Sequence, residues 1–511
     1  MTSNPLSQPA VLQSTTTSRK AWLLAGVALL LAAGFAARQI SSWPARIGYP
    51  GEQNFIEGMR LAEMLHVRQG VPIYAPASPE RFDASIYGPA YYLVGSRLID
   101  PERPAFFPLR FLSLLATLAC AAGAGLLAFW LTGSRLAVLL APLIYLSYGF
   151  VTAHGLSARS DLVALLLSFG GFLIAFRFQN RASFWLSVPF ILMGFFYKQQ
   201  FVAGSVAILL FLLWEKRYRR AAGFAAALAL GGLGMLAVFQ FVVFPGQAFF
   251  RHFFVYNLIP FSWKLFLLGI GVVLLMFLVP LLVSLEYLRH SPSRLIKVYL
   301  FSAAVLSLLT LAKEGSDSNY YLELALILSS LFAAMVCKSI GDSQRMSELL
   351  VLLTIALFFA QWLTRPAPRA EDFERDRAVQ EYLRSHFAPG TPVLAYLVGD
   401  CVRAGLDVPV SDLYQYAQLF MSGRLPGLDF QSQFRSRRFA GVILNFDIRI
   451  EDNPKVNLFR FPKPWARAVL ADYELAAVLE LPMAERMFPD DQLFVLVPRE
   501  QASQSSVEPK R

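Results

Sequence analysis

The stretch YPGEQNFIEGMRLAEMLHVRQGVPIY, residues 49–74, places acids, arginines and tyrosines between long apolar segments. Its apolar residues from Phe55 to Leu65 recur at helical spacing, which predicts an amphipathic helix lying on a membrane surface. Glu52 stands just before that helix. We interpret it as a candidate catalytic carboxylate, and the structural alternative is that it caps the helix N-terminus.

The whole chain has the composition of an integral membrane protein. Of its 511 residues, 56% are hydrophobic and 16% are charged, and the mean hydropathy is +0.49. The net charge is +11, but residues 1–364 hold 27 Lys and Arg against 15 Asp and Glu, whereas residues 365–511 hold 19 against 20. Because basic residues flank membrane spans, this excess indicates a lipid bilayer as partner and argues against nucleic acid.

Apolar runs of roughly 17–25 residues predict an α-helical polytopic protein with about eleven transmembrane helices. Their expected positions are 21–37, 109–131, 136–152, 161–177, 184–197, 199–214, 221–244, 264–286, 295–312, 319–337 and 347–364. The short fifth and sixth runs fit either two spans or one re-entrant hairpin. Alternating basic connections predict a cytoplasmic N-terminus, which puts the large loop 38–108 and the C-terminal region on the outer side.

The chain divides into regions of different texture. We expect a disordered cytoplasmic tail at 1–18, a transmembrane catalytic module at 19–364, an extracytoplasmic α/β domain at 365–500 and a disordered tail at 501–511. The outer domain should contain a helix at 375–386 and buried strands at 392–398, 439–445 and 492–498. Its length allows it to bury its own core.

Ionisable residues cluster at the predicted outer ends of the spans. Arg159 and Asp161 begin the fourth span, where they either face a cavity or form a mutual salt bridge. Lys198 is either a phosphate ligand or a lysine that snorkels to the interface. Arg251 and Lys313 are further candidates for binding a donor phosphate.

Other polar residues at the same ends are candidates for lining a cavity. For the tyrosines, the alternative is an interfacial aromatic belt. Asn319 and Glu323 share one helical face, and a buried glutamate there needs a partner. The set comprises Asp161, Asn319, Tyr320, Glu323, Tyr74, Tyr87 and Asn257.

The order of these motifs resembles a known family. An acid after the first span, an amphipathic helix, the turn Gly70-Val-Pro-Ile-Tyr74 and the entry Tyr87-Gly-Pro-Ala-Tyr-Tyr92 are similar to the large-loop membrane glycosyltransferases of the C-type fold (GT-C). The resemblance is to the protein O-mannosyltransferase and lipid A aminoarabinose transferase group (glycosyltransferase family 39-like), and it runs from about residue 20 to 364. Its individual motifs are loose, but their order and topology are fairly specific.

The resemblance implies a function and a site. It implies inverting transfer of a hexose or pentose from a polyprenyl-phosphate donor to a glycan, lipid or protein acceptor on the outer face, with Glu52 as general base. That group usually shows an adjacent Asp-Glu pair, whereas this chain has Gly51-Glu52. Either Glu52 has taken the role, or the chain is inactive or differently tuned.

The sequence shows no metal-binding or nucleotide-binding motif. The histidines and cysteines lack ligand spacing, and no phosphate-cradling Gly-rich loop occurs. The sequence therefore assigns no cofactor, and a divalent cation held by Glu52 and a distant acid stays open. Two other functions also stay open: a transporter or flippase of polyprenyl-linked glycans, which would depend on polar groups in mid-span, and a non-catalytic scaffold. The expected location is a bacterial inner membrane.

Overall fold

Apolar helices make up the first two thirds of the chain. The computed structural model describes residues 19–258, 260–313, 315–424, 430–450, 453–458, 460–483, 485–486 and 491–499. The predicted disordered tails, 1–18 and 501–511, lie outside the described residues. Fifteen helices precede residue 361: α1 Arg19–Ile40, α2 Trp43–Gly48, α3 Phe55–Arg68, α4 Pro89–Leu98, α5 Phe107–Thr132, α6 Arg135–Leu146, α7 Gly149–Gly155, α8 Asp161–Arg177, α9 Ser187–Tyr197, α10 Ala203–Trp214, α11 Tyr218–Ala237, α12 Trp263–Arg289, α13 Arg294–Leu311, α14 Leu322–Lys338 and α15 Ser343–Ala360.

The long helices confirm the predicted multi-pass membrane architecture. By length and composition, seven helices can cross a membrane, and the bent pair of α6 and α7 brings the number to eight. Three shorter apolar segments, α8, Ala182–Tyr197 and Ala203–Trp214, lie at the remaining predicted positions. Shorter segments of this kind are still helical because backbone groups in lipid must be paired internally.

The bundle has a central helix and a peripheral one. Almost every residue of α14 is buried, whereas α11 buries only Ala221 and Phe224. The first helix, α1, packs against α6 and α15 through an alanine stripe that lets the backbones approach closely. That stripe is Ala21, Ala25, Ala28, Ala32 and Ala36. Because α11 buries so few residues, its exposed apolar surface is suited to contact with lipid.

The fifth and sixth predicted spans are two helices joined by residues 198–202. The α9 helix ends at Tyr197, and α10 begins at Ala203. The Lys198 side chain, next to the end of α9, bonds Asp161 at the start of α8. The end of α9 and the start of α8 therefore lie at one end of the bundle, which we call the loop end.

The C-terminal region is a small α/β domain. We call it the outer domain, and the loop 38–108 the outer loop, after their predicted side of the membrane. Its four strands, β1 Val393–Ala395, β2 Gly441–Leu444, β3 Tyr473–Glu480 and β4 Gln492–Pro498, form one sheet in the order β1-β2-β4-β3. The β1 and β2 strands are parallel, and β4 is antiparallel to both of its neighbours. Its helices are α16 Ala370–His386, α17 Val398–Arg403, α18 Leu413–Met421, α19 Gln431–Arg435, α20 Pro454–Leu458 and α21 Lys463–Asp472.

Sequence analysis found three of the four strands. The strand expected at 392–398 is shorter, because α17 begins at Val398. It missed β3, which lies at the sheet edge, and beyond its first residue no residue of that strand is fully buried. Alternating exposure is normal for an edge strand, and it lacks the continuous apolar run that marked the others.

Candidate active site

A buried ion pair shapes the loop that follows the first span. The Arg110 guanidinium, at the start of α5, donates to both carboxylate oxygens of Glu57 at 3.0 and 2.7 Å. It also donates to the carbonyls of Tyr49 and Gly51 at 2.5 and 2.6 Å. Both charged side chains are fully buried. Arg110 and Glu57 therefore fix the backbone on either side of Glu52.

Replacing Arg110 by methionine should destabilise the protein by about 3–5 kcal/mol, because it leaves the Glu57 carboxylate buried without its cation. Thermal unfolding in detergent measures the effect as a lower Tm. The double variant Arg110→Met with Glu57→Gln is the control, since it removes the buried charge as well and should recover much of the loss. A single variant as stable as the wild type would contradict this assignment.

Glu52 lies in the contact between the outer loop and the outer domain. Its Oε2 accepts the Gly58 backbone N–H at 2.9 Å, and the Gly399 backbone N–H also bonds the carboxylate. The side chain is fully buried, and Oε1 has no partner in the described part of the chain. Burial, followed by the charges of Asp400 and Glu57, raises the pKa of Glu52 well above its ordinary value.

The two glycines beside Glu52 allow α3 and α17 to touch. A Cβ on Gly58 would overlap Glu52 Oε2 and the Gly399 backbone. A Cβ on Gly399 would come within 2.7 Å of the Phe106 ring. Neither position tolerates a larger residue without separation of the two helices.

The Gly58→Ala variant should weaken the contact between α3 and the outer domain, because the added Cβ would overlap Glu52 and Gly399. We expect this effect even though alanine normally stabilises a helix by roughly 0.5–1 kcal/mol over glycine. Limited proteolysis would then release the outer domain faster than from the wild type. Gly34→Ala is the matched control, since a Cβ there meets no atom within 4 Å. Equal protease resistance of Gly58→Ala and wild type would show that the close contact is unimportant.

Four polar residues meet at the loop end of the bundle, and we call them the charged centre. Asp161 accepts hydrogen bonds from Lys198 Nζ at 2.6 Å, Arg159 Nε at 3.0 Å and Asn319 Nδ2 at 2.5 Å. All four residues are at most 5% exposed. They come from the start of α8, the turn after α9 and the 3₁₀ turn Ser318–Tyr321 before α14. The ends of three helices thus bring two cations onto one carboxylate.

Tyr87 extends the charged centre toward the outer domain. The centre of its ring lies 4.7 Å from Lys198 Nζ and 4.8 Å from Arg60 Cζ. Two side-chain cations therefore lie next to the same aromatic ring. Arg60 in turn bonds Glu63 at 2.5 Å and lies 3.5 Å from Asp412 of the outer domain. Arg60 was not among the sequence-predicted site residues.

Asp317 adds a second carboxylate that sequence analysis did not select. It lies 3.4 Å from Arg159 Nη1, 3.6 Å from Arg365 Nη2 and 3.9 Å from His154 Nε2. Its position in the Gly315-Ser-Asp-Ser318 turn, directly before Asn319, was the available signal. Asp317 thus extends the ion pairs of the charged centre to Arg365.

The remaining predicted cavity residues fall into different surroundings. Tyr320 lies close enough to Tyr87 and Asp161 to interact electrostatically. Three others lie apart: Tyr74 packs among Phe244 and Phe249, Asn257 donates to the Ile86 carbonyl at 2.6 Å, and Glu323 accepts from the Tyr299 hydroxyl at 3.0 Å. Asn257 and Glu323 thus have hydrogen-bond partners away from the charged centre, whereas the Tyr74 hydroxyl has none among the described residues.

Two predicted phosphate ligands also lie apart from the charged centre. Arg251 is exposed, and its backbone carbonyl accepts the Tyr256 N–H at 3.0 Å. Lys313 is half-buried, and its backbone pairs with Phe261. Within the described residues, no contact connects either cation with Asp161. Their role toward a phosphate stays a prediction.

A trio of carboxylates lies in the outer domain beside the loop. Asp376, Asp400 and Glu485 can bring one ligand oxygen each within 4.8 Å of the others. Burial raises the pKa of Asp400 to about 6, although Arg403 opposes the shift. Sequence analysis did not find this group, because its members are up to 109 positions apart and lack metal-site spacing.

Comparisons with known proteins identify the fold. No family profile matches the chain, and no curated protein sequence matches it either. The structure is similar to apo ArnT from Cupriavidus metallidurans, with a TM-score of 0.52 and 10% identity over 90% of this chain and 97% of that one. ArnT from the same organism bound to undecaprenyl phosphate gives a TM-score of 0.52 and 11% identity over 96% and 100%.

A more distant similarity is to the Archaeoglobus fulgidus oligosaccharyltransferase complexed with zinc and sulfate. Its TM-score is 0.49 and its identity 12%, over 84% of this chain and 69% of that one. ArnT is a lipid A aminoarabinose transferase with the GT-C fold. This chain therefore has the GT-C fold of membrane glycosyltransferases, as its loop motifs predicted.

Proposed function

We propose that the chain is a membrane glycosyltransferase that moves a sugar from a polyprenyl-phosphate donor to an acceptor, with inversion at the anomeric carbon. The observation that carries the proposal is the charged centre, where Arg159 and Lys198 share Asp161 at the end of an apolar bundle. The ArnT structure bound to undecaprenyl phosphate supports the choice of carrier, since it has the same fold.

The charge of the centre suits a sugar phosphodiester. Arg159, Lys198 and Arg365 against Asp161 and Asp317 leave one net positive charge. A phosphodiester carries one negative charge. When the sugar leaves, the phosphate gains further negative charge, which fixed cations in a water-poor site stabilise strongly. Asn319 Nδ2, which already donates to Asp161 at 2.5 Å, adds a neutral donor at the same place.

Glu52 is the proposed general base. The acceptor hydroxyl oxygen attacks the anomeric carbon, the bond from that carbon to the phosphate oxygen breaks, and the electron pair stays on the phosphate. The acceptor proton passes to Glu52. A buried carboxylate with a raised pKa is a stronger base than an exposed one once it is deprotonated.

Glu57 links the chain next to Glu52 with the chain next to the charged centre. Glu57 accepts from the backbone N–H of Gln53, the residue after Glu52, and from that of Ala158, the residue before Arg159, at 2.7 and 2.5 Å. Because α17 covers Glu52, the outer domain has to move before an acceptor can reach the carboxylate. Domain motions that complete or open a site are common in enzymes.

Lipid binding tests the donor part of the proposal. Native mass spectrometry of the purified chain should show undecaprenyl phosphate bound at least about tenfold more tightly than undecaprenol, which has the same tail without the phosphate. Equal binding of the two lipids would mean that the cations do not hold a phosphate, and would remove the support for a polyprenyl-phosphate donor.

A further inference from the structure

The carboxylate trio joins three separate segments of the outer domain. Asp376 belongs to α16, Asp400 belongs to α17, and Glu485 follows β3. Tyr49 of the outer loop donates its hydroxyl to Glu485 at 2.5 Å, and a Cβ on Gly51 would overlap Glu485 and come within 2.8 Å of Asp376 Oδ1. Asp400 follows Gly399, whose N–H bonds Glu52. The trio therefore lies in the contact between the loop and the domain.

Arg403 offsets only part of this negative charge. It bonds Asp376 through two nitrogens at 2.6 and 2.9 Å and lies 3.3 Å from Asp400. In the described part of the chain, it is the one basic side chain paired with the trio. With all three carboxylates ionised, one guanidinium would leave two negative charges in a buried contact, a state that calls for a further cation or for protonation of a carboxylate.

Buried carboxylate oxygens without partners lie in the same contact. Asp400 Oδ2 and Glu485 Oε2 receive no hydrogen bond within the described residues. Glu52, which is not part of the trio, adds Oε1 as a third unpartnered oxygen and is fully buried against Gly399, the residue before Asp400. Such oxygens are normally satisfied by a donor, a water molecule or an ion.

We propose that Asp376, Asp400 and Glu485 form a binding site for a divalent cation, with calcium as the best fit. All the donors are oxygens, which select hard cations over zinc or copper. Ca²⁺ binds oxygens at about 2.3–2.6 Å, so two of its ligands can be up to about 5 Å apart. The 4.8 Å limit of the trio fits that range. Mg²⁺, with ligands at about 2.0–2.1 Å, demands a near-ideal octahedron and retains several waters, so a buried set of three carboxylates suits it less well.

The cation would hold the outer domain on the loop. Its ligands come from α16, α17 and the segment after β3, and these pack on the stretch from Tyr49 to Glu52. Calcium would therefore favour the arrangement in which α17 covers Glu52. This regulatory consequence rests on the proposed role of Glu52, whereas the binding site itself does not.

Metal binding by the full-length protein tests the site without any activity measurement. Protein freed of metal with a chelator should gain about 2–3 °C in Tm when calcium reaches a hundredfold excess over its dissociation constant. Magnesium should give a smaller shift at the same concentration. Terbium should bind in place of calcium and luminesce on excitation of tyrosine, since Tyr49 bonds one of the ligands.

Two variants separate the site from general effects of calcium. Asp400→Asn should abolish both the calcium shift and the terbium signal, and its Tm without metal should equal or exceed that of metal-free wild type, because one repelling charge is gone. Glu371→Gln, on the same helix as Asp376 but exposed, should keep both signals. If Asp400→Asn does not fold, Glu485→Gln replaces it. No calcium shift in the wild type, or a full shift in a folded Asp400→Asn protein, would overturn the proposal.

Discussion

Lys198→Gln should lower kcat/KM for sugar transfer by about 10²–10³-fold, the range found when a single donor to a developing oxyanion is removed. Lys198 Nζ is buried, lies 2.6 Å from Asp161 and faces the Tyr87 ring, so its charge acts in surroundings that screen it poorly. The loss should fall mainly on kcat, because the negative charge of the phosphate grows as the sugar leaves. Steady-state kinetics in detergent or liposomes measures both parameters.

Two controls decide how that result is interpreted. Lys297→Gln, near the start of α13 at the opposite end of the bundle, should leave both constants within about twofold. Lys198→Arg keeps the positive charge but changes its shape, so it should recover part of the activity. If Lys198→Gln folds and keeps wild-type kcat/KM, the charged centre is not the donor phosphate site.

Glu52→Gln should lower kcat by at least about 10²–10⁴-fold, the usual contribution of a general base. Glutamine retains an oxygen that can accept the Gly58 N–H, which Glu52 now accepts at 2.9 Å. It also removes a charge from a fully buried position. The Tm of this variant should therefore be no lower than that of the wild type, and the loss of turnover cannot be attributed to unfolding.

The outcome separates a catalytic from a structural role for Glu52. Glu102→Gln is the matched control, since Glu102 is an exposed acid in the same outer loop. Unchanged turnover in Glu52→Gln would place the base elsewhere. A joint fall of turnover and Tm would mean that Glu52 only supports the contact between α3 and α17.

The positions of the membrane helices could be predicted because spans depend on a local property, the length of an apolar run. The same holds for β2 and β4, whose residues form continuous apolar stretches. The edge strand β3 could not be recognised in this way, because its exposed positions alternate with half-buried ones. The 79° bend between α6 and α7 was likewise absent from the expected single span.

The members of the charged centre were predictable as single residues, but their arrangement was not. Arg159, Asp161, Lys198 and Asn319 stand out because ionisable and amide groups are rare at the ends of spans. Their convergence on one carboxylate depends on how α8, α9 and α14 pack. For Arg159 and Asp161, the structure contains the salt bridge that sequence analysis gave as the alternative to a cavity.

The surroundings of Glu52 could not be inferred from its neighbours in sequence. The sequence suggested a carboxylate at the level of the lipid headgroups, whereas the structure has it beneath α17, whose residues lie about 350 positions later. The partnership of Glu57 with Arg110 was hidden for the same reason. Contacts between a loop and a distant domain depend on docking, which local periodicity does not encode.

The central claim is that this chain transfers a sugar from a polyprenyl phosphate. The most direct measurement is the release of polyprenyl phosphate when purified protein is incubated with a panel of polyprenyl-phosphate sugars and acceptors. We expect at least one donor to be turned over by the wild type and by Lys297→Gln, and not by Lys198→Gln. Two results would contradict the account: turnover by a folded Lys198→Gln protein at the wild-type rate, or no turnover of any donor by the wild type.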